Sequence, residues 1–335
     1  MRKGYLDYLR IIASMTIVMI HTASGHWGDL PINGYEWNII NLFDAISRWG
    51  VPIFVMISGA LFLSKDIDTK TLYTKYVKKL VIVFFGWSFF YGIITFLSTR
   101  ELRSFAATFI SGYFHQWYLL AAIGLYIATP IMRRIVKDKK TCEYFILLSF
   151  IFSTLIPTIL NVLRLFDINI FNGFFDNLRL CSISGLFGYY ALGYYLDTYK
   201  AKHTKAIYVL GIFSFIFTIL GTTIISNILG TANEAFYGPN TINVFFVSIA
   251  LFIFFKEKYA KAETTAFYKK WSKYTLCIYL VHPFVQLVLS RIFKINILMF
   301  NPLLAIPMHF TITYISSFAI AAIASKIPIV NKYLV

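Results

Sequence analysis

Long apolar runs, separated by short polar and basic segments, recur along the whole chain of 335 residues. A helix needs ~20 mostly apolar residues to cross the hydrocarbon core of a bilayer. The pattern predicts ten such spans, at about residues 7–25, 39–63, 79–97, 116–134, 143–162, 180–198, 206–228, 239–255, 273–292 and 302–326. We therefore predict an all-α, polytopic membrane protein with about ten transmembrane helices.

Composition and charge agree with this prediction. Hydrophobic residues make up 58% of the chain and charged residues only 14%, which is unlike a soluble domain. The formal net charge of +16 lies mostly in the short loops. We therefore interpret the positive charge as a signal of membrane topology rather than as a nucleic-acid-binding surface. With the N-terminus in the cytoplasm, 23 Lys and Arg lie on the inner side, five lie outside and three fall within spans. This asymmetry predicts an N-in, C-in orientation.

The chain contains no long linker, low-complexity tract or clear repeat, so we predict one domain over residues 1–335. Its basic start followed by an apolar run is similar to a signal peptide, but charged residues interrupt that run and further spans follow. We therefore expect a retained first helix. The segments 98–115 and 163–179 mix apolar and polar residues, as segments lying along the outer interface do. Cys142, Cys181 and Cys277 lack the spacing of metal ligands, so free thiols are expected.

The first span carries a cation and a titratable base on one face. Arg10 and His21 are eleven positions apart, which on an α-helix is ~1100° of rotation and ~16 Å of rise. Asp7 and Ser14 lie at i−3 and i+4 of Arg10, where both side chains can orient its guanidinium. Ionisable residues inside a membrane are costly and usually functional. The alternative for His21 is a core histidine bonded to a neighbouring helix.

The second span contains another arginine, Arg48, ~15 Å below its outer end. Asp44 lies at i−4 and is the nearest counter-ion, so a structural ion pair is one reading. The other is anion binding, since a guanidinium donates several hydrogen bonds at once. Pro52 is expected to kink this span, and Ser58 follows it one turn and a half later.

Polar side chains also mark the fourth and ninth spans. His115 and Trp117 lie at the outer end of the fourth, where an aromatic belt alone would explain Trp117. Thr275, Tyr279 and His282 share one face of the ninth, and a packed polar stripe is the plain alternative. The spacing of His21, His115 and His282 gives no support for a metal site, so none is predicted.

In this order the motifs resemble the signatures of the acyltransferase 3 family, which are integral membrane O-acyltransferases acting on bacterial surface carbohydrates. The matching motifs are Arg10 with His21 eleven residues later, Arg48-Trp-Gly-Val-Pro-Ile-Phe-Val-Met-Ile-Ser58-Gly59, His115-Gln-Trp117-Tyr118, and Thr275 to Pro283. The chain length and Tyr237-Gly-Pro-Asn240 are similar to the members that O-acetylate enterobacterial common antigen or O-succinylate the intercellular adhesin. Many members have two adjacent aromatics where only Phe54 is present here.

The resemblance implies that Arg10 and His21 are essential and that Arg48 supports them. It implies an acyl-CoA donor, most simply acetyl-CoA, with no bound cofactor, and a hydroxyl acceptor on a cell-surface polysaccharide or its lipid-linked precursor. The protein would lie among the lipids of a bacterial inner membrane. Substrate- and donor-binding residues are then expected among Asp7, Ser14, Ser58, His115, Trp117, Tyr279 and His282.

In this chemistry His21 is the general base, and Arg48 or Ser58 stabilises the oxyanion. An acyl-histidine or acyl-serine relay is a competing mechanism. O-succinyl transfer is a second alternative within the family. From another class, a secondary transporter for an anionic solute would also line its pathway with buried charges.

Overall fold

The computed structural model describes residues 3–169, 174, 181–328 and 330–331. Within these ranges the regular elements are helical and no strand occurs. The α-helices are α1 (Gly4–Ala23), α2 (Tyr35–Ala45), α3 (Gly50–Phe62), α4 (Thr69–Thr71), α5 (Lys78–Thr99), α6 (Leu102–Ser111), α7 (Trp117–Lys137), α8 (Lys139–Phe150), α9 (Ile156–Arg164), α10 (Cys181–Thr198), α11 (Thr204–Leu229), α12 (Ile242–Tyr259), α13 (Ala266–Arg291) and α14 (Pro302–Ala324). A 3₁₀ turn at Ser24–His26 extends α1, and π-helical segments at Leu72–Val77 and Ile151–Leu155 join α4 to α5 and α8 to α9.

Seven helices in the described part of the chain are long and apolar enough to cross a membrane. They are Gly4–His26, Tyr35–Phe62, Thr69–Thr99, Trp117–Lys137, Lys139–Arg164, Thr204–Leu229 and Pro302–Ala324. This confirms an all-helical, multi-helix membrane protein. The predicted spans 180–198, 239–255 and 273–292 coincide with α10, α12 and α13, which do not meet the same test. The number ten and the N-in, C-in orientation therefore stay predictions.

Helix α1 lies at the centre of the bundle. It packs against α2, α3, α12, α13 and α14. Its apolar residues are buried in successive turns, with Leu9, Ala13, Val18 and Ala23 at 0% exposure. Such burial on all sides is typical of a helix enclosed by others. The polar side chains of α1 therefore face protein rather than lipid.

The second predicted span is broken, but the break is not at Pro52, where the sequence predicted a kink. The break is the turn at residues 46–49, between α2 and α3, where the Ser47 N–H donates to the Asp44 carbonyl at 3.0 Å. Pro52 follows in the first turn of α3, where its missing N–H is one that has no partner within the helix anyway. Gly50 begins α3 at a close approach to α1, because a Cβ there would lie 2.4 Å from the Thr16 hydroxyl oxygen. Arg48 consequently projects from a turn between two helices.

The first of the two outer segments contains α6, whose residues are all at least partly exposed. Its apolar residues Leu102 and Ile110 are 73% and 69% exposed, as expected for a helix lying on lipid. Most of the second segment, 163–179, lies outside the described residues.

Two of the three cysteines, Cys142 and Cys277, are buried and free, as predicted. The side chain of Cys181 lies outside the described part of the structure, so its predicted free thiol stays a prediction.

Candidate functional site

Arg10 is held by its own helix and by α13. Its Nη1 donates to the Ser272 hydroxyl at 3.1 Å and lies 3.8 Å from a carboxylate oxygen of Asp7. The Ser272 hydroxyl in turn donates to Asp7 at 2.7 Å. Asp7 therefore has the position that its spacing predicts. Ser14 is directed elsewhere than expected, because its hydroxyl donates to the Ile11 carbonyl and lies 2.7 Å from the hydroxyl of Tyr314 on α14.

A cavity of about 430 Å³ lies beside Arg10, which is the size of many small-molecule sites. We call it the Arg10 pocket. Its lining includes three cationic residues, Arg10, Lys79 and Lys273, and hydroxyl groups of Ser58, Tyr118 and Tyr126. Elsewhere the wall is apolar, with Ile17, Val51, Phe54 and Leu119. The pocket thus combines positive charge with an apolar interior.

Two further predicted site residues, Ser58 and Trp117, lie in or next to the region of the Arg10 pocket. Ser58 lines the Arg10 pocket together with Tyr118 and Tyr126. Trp117 is 44% exposed and contacts the edge of the Tyr118 ring. Trp117 does not line the Arg10 pocket, and its choice between aromatic belt and substrate contact stays a prediction.

Three histidines from three parts of the chain meet near the outer end of α1. We call His21, His115 and His282 the histidine cluster. Nδ1 of His21 lies 2.7 Å from Nε2 of His282, and the two ring planes differ by only 6°. The His115 ring centroid lies 6.4 Å from that of His21 and 5.6 Å from that of His282. The sequence identified all three residues but gave no reason to expect that they meet.

The hydrogen bonds of His282 determine the tautomer of His21. Nδ1 of His282 lies 3.2 Å from the Ile278 carbonyl oxygen. A carbonyl only accepts, so this nitrogen carries the proton and Nε2 of a neutral His282 is an acceptor. Nδ1 of His21 must then donate to it. Nε2 of His21 is left with a free lone pair, which is what a general base needs.

Tyr279 connects the Arg10 pocket with the histidine cluster. Its side chain lines the pocket, and its ring centroid lies 5.3 Å from that of His115 and 6.2 Å from that of His282. Its hydroxyl donates to the His115 carbonyl. Thr275 also lines the pocket, so the face of α13 that the sequence identified runs from the pocket to the cluster.

Arg48 forms the ion pair with Asp44 that its spacing predicts. Its Nη2 lies 2.5 Å from Oδ2 of Asp44, and its guanidinium carbon lies 3.9 Å from the centre of the Tyr237 ring. The pair is nearly enclosed, and Oδ1 of Asp44 and Nε of Arg48 have no hydrogen-bond partner. Arg48 does not line the Arg10 pocket, but it is near enough to His21 to act on it electrostatically.

Sequence reasoning missed several residues of the site. They are the pocket residues Lys79, Tyr126 and Lys273, the Arg10 partner Ser272, and the Arg48 partner Tyr237. Tyr237 belongs to a motif noted above, but that motif gave no reason to expect it beside Arg48. Ser272 lies three residues before Thr275, so an extension of the polar face of α13 by one turn would have found it. The described residues contain no group of three or more His, Cys, Asp and Glu placed to hold a metal ion.

Comparison with known proteins adds one finding. A family model described as the acyltransferase domain of the acyltransferase 3 family matches residues 3–326, nearly the whole chain. Searches of curated proteins and of solved structures found no match. The chain therefore belongs to the acyltransferase 3 family and is a membrane-embedded acyltransferase.

Proposed function

We propose that the protein is an O-acyltransferase of the bacterial cytoplasmic membrane. It moves an acetyl group from cytoplasmic acetyl-CoA to a hydroxyl of a cell-surface polysaccharide or of its lipid-linked precursor. One observation carries this proposal. The pocket that holds Arg10, Lys79 and Lys273 also reaches Tyr279, which packs against the histidine cluster.

The charge of the pocket suits the donor. Coenzyme A carries phosphates, and arginine and lysine bind phosphate strongly. In the predicted N-in orientation, Arg10 is near the cytoplasmic surface, where these phosphates arrive. The ~16 Å of rise between Arg10 and His21 suits an extended pantetheine arm, which would carry the thioester towards the histidine cluster.

The chemistry follows from the free Nε2 of His21. This atom takes the proton of the acceptor hydroxyl while the hydroxyl oxygen attacks the thioester carbonyl carbon. A carbon–oxygen bond forms, the carbon–sulfur bond breaks, and the thiolate of coenzyme A receives the proton from His21. His282 keeps the His21 ring oriented throughout, and Arg10 binds and orients the donor.

The apolar part of the pocket wall favours acetyl over succinyl. Ile17, Val51 and Leu119 pack together with Tyr279, and a succinyl carboxylate among these side chains would be taken out of water beside apolar groups, which costs several kcal/mol or more unless it is paired. An acetyl methyl group has no such cost. We therefore expect acetyl-CoA to be used in preference to succinyl-CoA.

The test is acyl transfer in membrane vesicles with acetyl-CoA that carries a radioactive acetyl group. Wild type is compared with His21→Ala and Arg10→Ala at matched expression. His309→Ala serves as the control, because His309 is a buried histidine on α14 that is 3.5 Å from Thr313 and outside the Arg10 pocket. We expect label in a carbohydrate fraction with wild type and His309→Ala, and a loss of ~10²-fold or more with His21→Ala.

Three results would contradict the proposal. If wild type transfers label from neither acetyl-CoA nor succinyl-CoA, the donor class is wrong. If His21→Ala transfers label as fast as wild type, His21 is a structural histidine. If the label stays covalently on the protein after denaturation, the acyl-enzyme relay replaces direct transfer.

A further inference from the structure

His115 is buried without a hydrogen bond. Its exposure is 1%, and neither ring nitrogen has a partner. The Leu280 carbonyl lies near the ring, but outside hydrogen-bond geometry, and it already accepts from the Tyr91 hydroxyl at 2.8 Å. A buried polar group left unsatisfied destabilises the folded protein. Such a group needs an explanation, and at an enzyme site contact with a substrate atom is a natural one.

Among the described residues, three other buried side-chain nitrogens also lack partners: Nε of Arg48, whose guanidinium is paired with Asp44, Nε1 of Trp87 and Nε2 of Gln116. The rings in contact with Trp87 are Phe90 and Tyr91. The Gln116 side chain is fixed by its oxygen, which accepts from the Tyr113 N–H at 2.7 Å. His115 differs because its ring packs against both His21 and His282.

The position of His115 suits a group that meets developing negative charge. It lies two residues before α7, a helix of 21 residues, and the N-terminal end of a helix favours an anion. Tyr279, which lines the Arg10 pocket, fixes the backbone of His115 through its hydroxyl. A thioester that passes Tyr279 would come next to His115, whose ring packs against that of His21.

We propose that His115 donates a ring N–H to the carbonyl oxygen of the acyl group during transfer. This inference rests on the proposed function and adds a catalytic residue to it. When the acceptor oxygen attacks, the carbonyl π electrons move to that oxygen, and His115 stabilises the resulting oxyanion. When the carbon–sulfur bond breaks, the carbonyl re-forms and the His115 proton stays where it was. Ser58 is in the Arg10 pocket and Arg48 is paired with Asp44, so neither of the groups that the sequence suggested for this role has the position of His115.

The test compares His115→Phe with His115→Gln in the acyl-transfer assay. Phenylalanine keeps the ring packing but has no donor, whereas the glutamine amide can donate and cannot act as a base near neutral pH. We expect His115→Phe to lower kcat by about 10²–10³-fold, the usual cost of losing one oxyanion donor. The KM for acetyl-CoA should change by no more than about threefold, because the donor is bound mainly at the Arg10 pocket. His115→Gln should recover about tenfold or more of the lost kcat. His309→Phe is the matched control, because it places phenylalanine at another buried histidine.

A second measurement covers the case in which His115→Phe does not fold. In a His21→Ala background, bound acetyl-CoA stays unreacted, and infrared spectroscopy can follow its carbonyl stretch. We expect a shift to lower wavenumber when His115 is present and a smaller shift when His115 is replaced by Leu or Met, neither of which can donate a hydrogen bond. An unchanged carbonyl stretch between these proteins would overturn the inference.

The outcomes separate this inference from the proposed function. If wild type transfers acetyl groups and His115→Phe does so within about threefold, His115 is no oxyanion donor while the function stands. If His115→Gln is as inactive as His115→Phe, donation is not the role of the ring. If wild type transfers no acyl group, the proposed function and this inference fail together.

Discussion

Three polar residues of α1 are tolerated inside the bundle because each has a partner on a later helix. Asp7 pairs with Ser272, Ser14 with Tyr314, and His21 with His282. In a membrane interior an unsatisfied polar group costs several kcal/mol, so these bonds also fix how α13 and α14 pack on α1. Against this background the unpartnered nitrogens of His115 are an exception, and that makes them candidates for contact with substrate.

His282 should act through His21, as a positioning residue. His282→Leu removes the acceptor of the His21 Nδ1 proton, so both tautomers of His21 become accessible and the ring loses its orientation. We expect kcat to fall by ~10²-fold, within the range that a general base contributes, with the KM for acetyl-CoA unchanged. His282→Gln offers a carbonyl oxygen as acceptor and should restore part of the rate.

The measurement is the initial rate of acetyl transfer over a range of acetyl-CoA concentrations, with thermal unfolding in detergent as a check on folding. If His282→Gln is as inactive as His282→Leu while both keep the melting temperature of wild type, the positioning role is contradicted. It is also contradicted if wild type, His282→Leu and His282→Gln transfer acetyl groups at equal rates.

At the scale of helices, α3 and α10 approach each other closely enough for their backbones to touch. A Cβ at Gly59 would lie 1.8 Å from the Tyr190 carbonyl oxygen, and one at Gly193 would lie 2.0 Å from the Met56 carbonyl oxygen. Small residues that let two backbones touch are a general means of packing membrane helices. Because Ser58 of the Arg10 pocket is the neighbour of Gly59, this contact also sets the width of the pocket.

Gly59→Ala should therefore separate α3 from α10 and destabilise the protein. Overpacking typically costs ~1–3 kcal/mol, and here the obstacle is backbone, which cannot rotate away. We expect a lower melting temperature and weaker stabilisation by acetyl-CoA. The matched control is Gly124→Ala on α7, where a Cβ meets nothing within 4 Å and where alanine favours the helix by up to ~1 kcal/mol. Equal melting temperatures for the two variants would show that the α3–α10 contact has room to relax.

Helix placement followed from the sequence wherever an apolar run was long and uninterrupted. The span 206–228 matches α11 (Thr204–Leu229), and 302–326 matches α14 (Pro302–Ala324), within about two residues. The break between α2 and α3 did not follow, because it depends on the approach of Gly50 to Thr16, a tertiary contact. Local pattern favoured Pro52 instead, a proline that the first turn of a helix accommodates.

In the site too, contacts within one helix could be predicted from the sequence and contacts between helices could not. Spacing along one helix correctly paired Asp7 with Arg10 and Asp44 with Arg48, because i, i+3 and i, i+4 neighbours are set by helix geometry alone. Contacts between distant parts of the chain, such as His21 with His282 or Arg48 with Tyr237, depend on how the helices pack. Ser14 shows where prediction from spacing fails: its spacing predicted a contact with Arg10, but its partner is Tyr314.

For the whole molecule, the orientation in the membrane decides whether the donor can reach the Arg10 pocket. Placing the N-terminus inside leaves 23 Lys and Arg on the inner side and five on the outer side, so the positive-inside rule favours this orientation.

Two single cysteines test this orientation. We expect Lys140→Cys, in the first turn of α8, to face the cytoplasm and Arg103→Cys, on α6, to face outside. Both positions are exposed. The measurement is labelling of intact cells by a membrane-impermeant maleimide, in a background with Cys142, Cys181 and Cys277 replaced by alanine. Arg103→Cys should label at once, and Lys140→Cys only after the membrane is permeabilised. The reverse pattern would place Arg10 near the outer surface, out of reach of cytoplasmic acetyl-CoA, and the donor proposal would fail even if His21 and His115 proved essential.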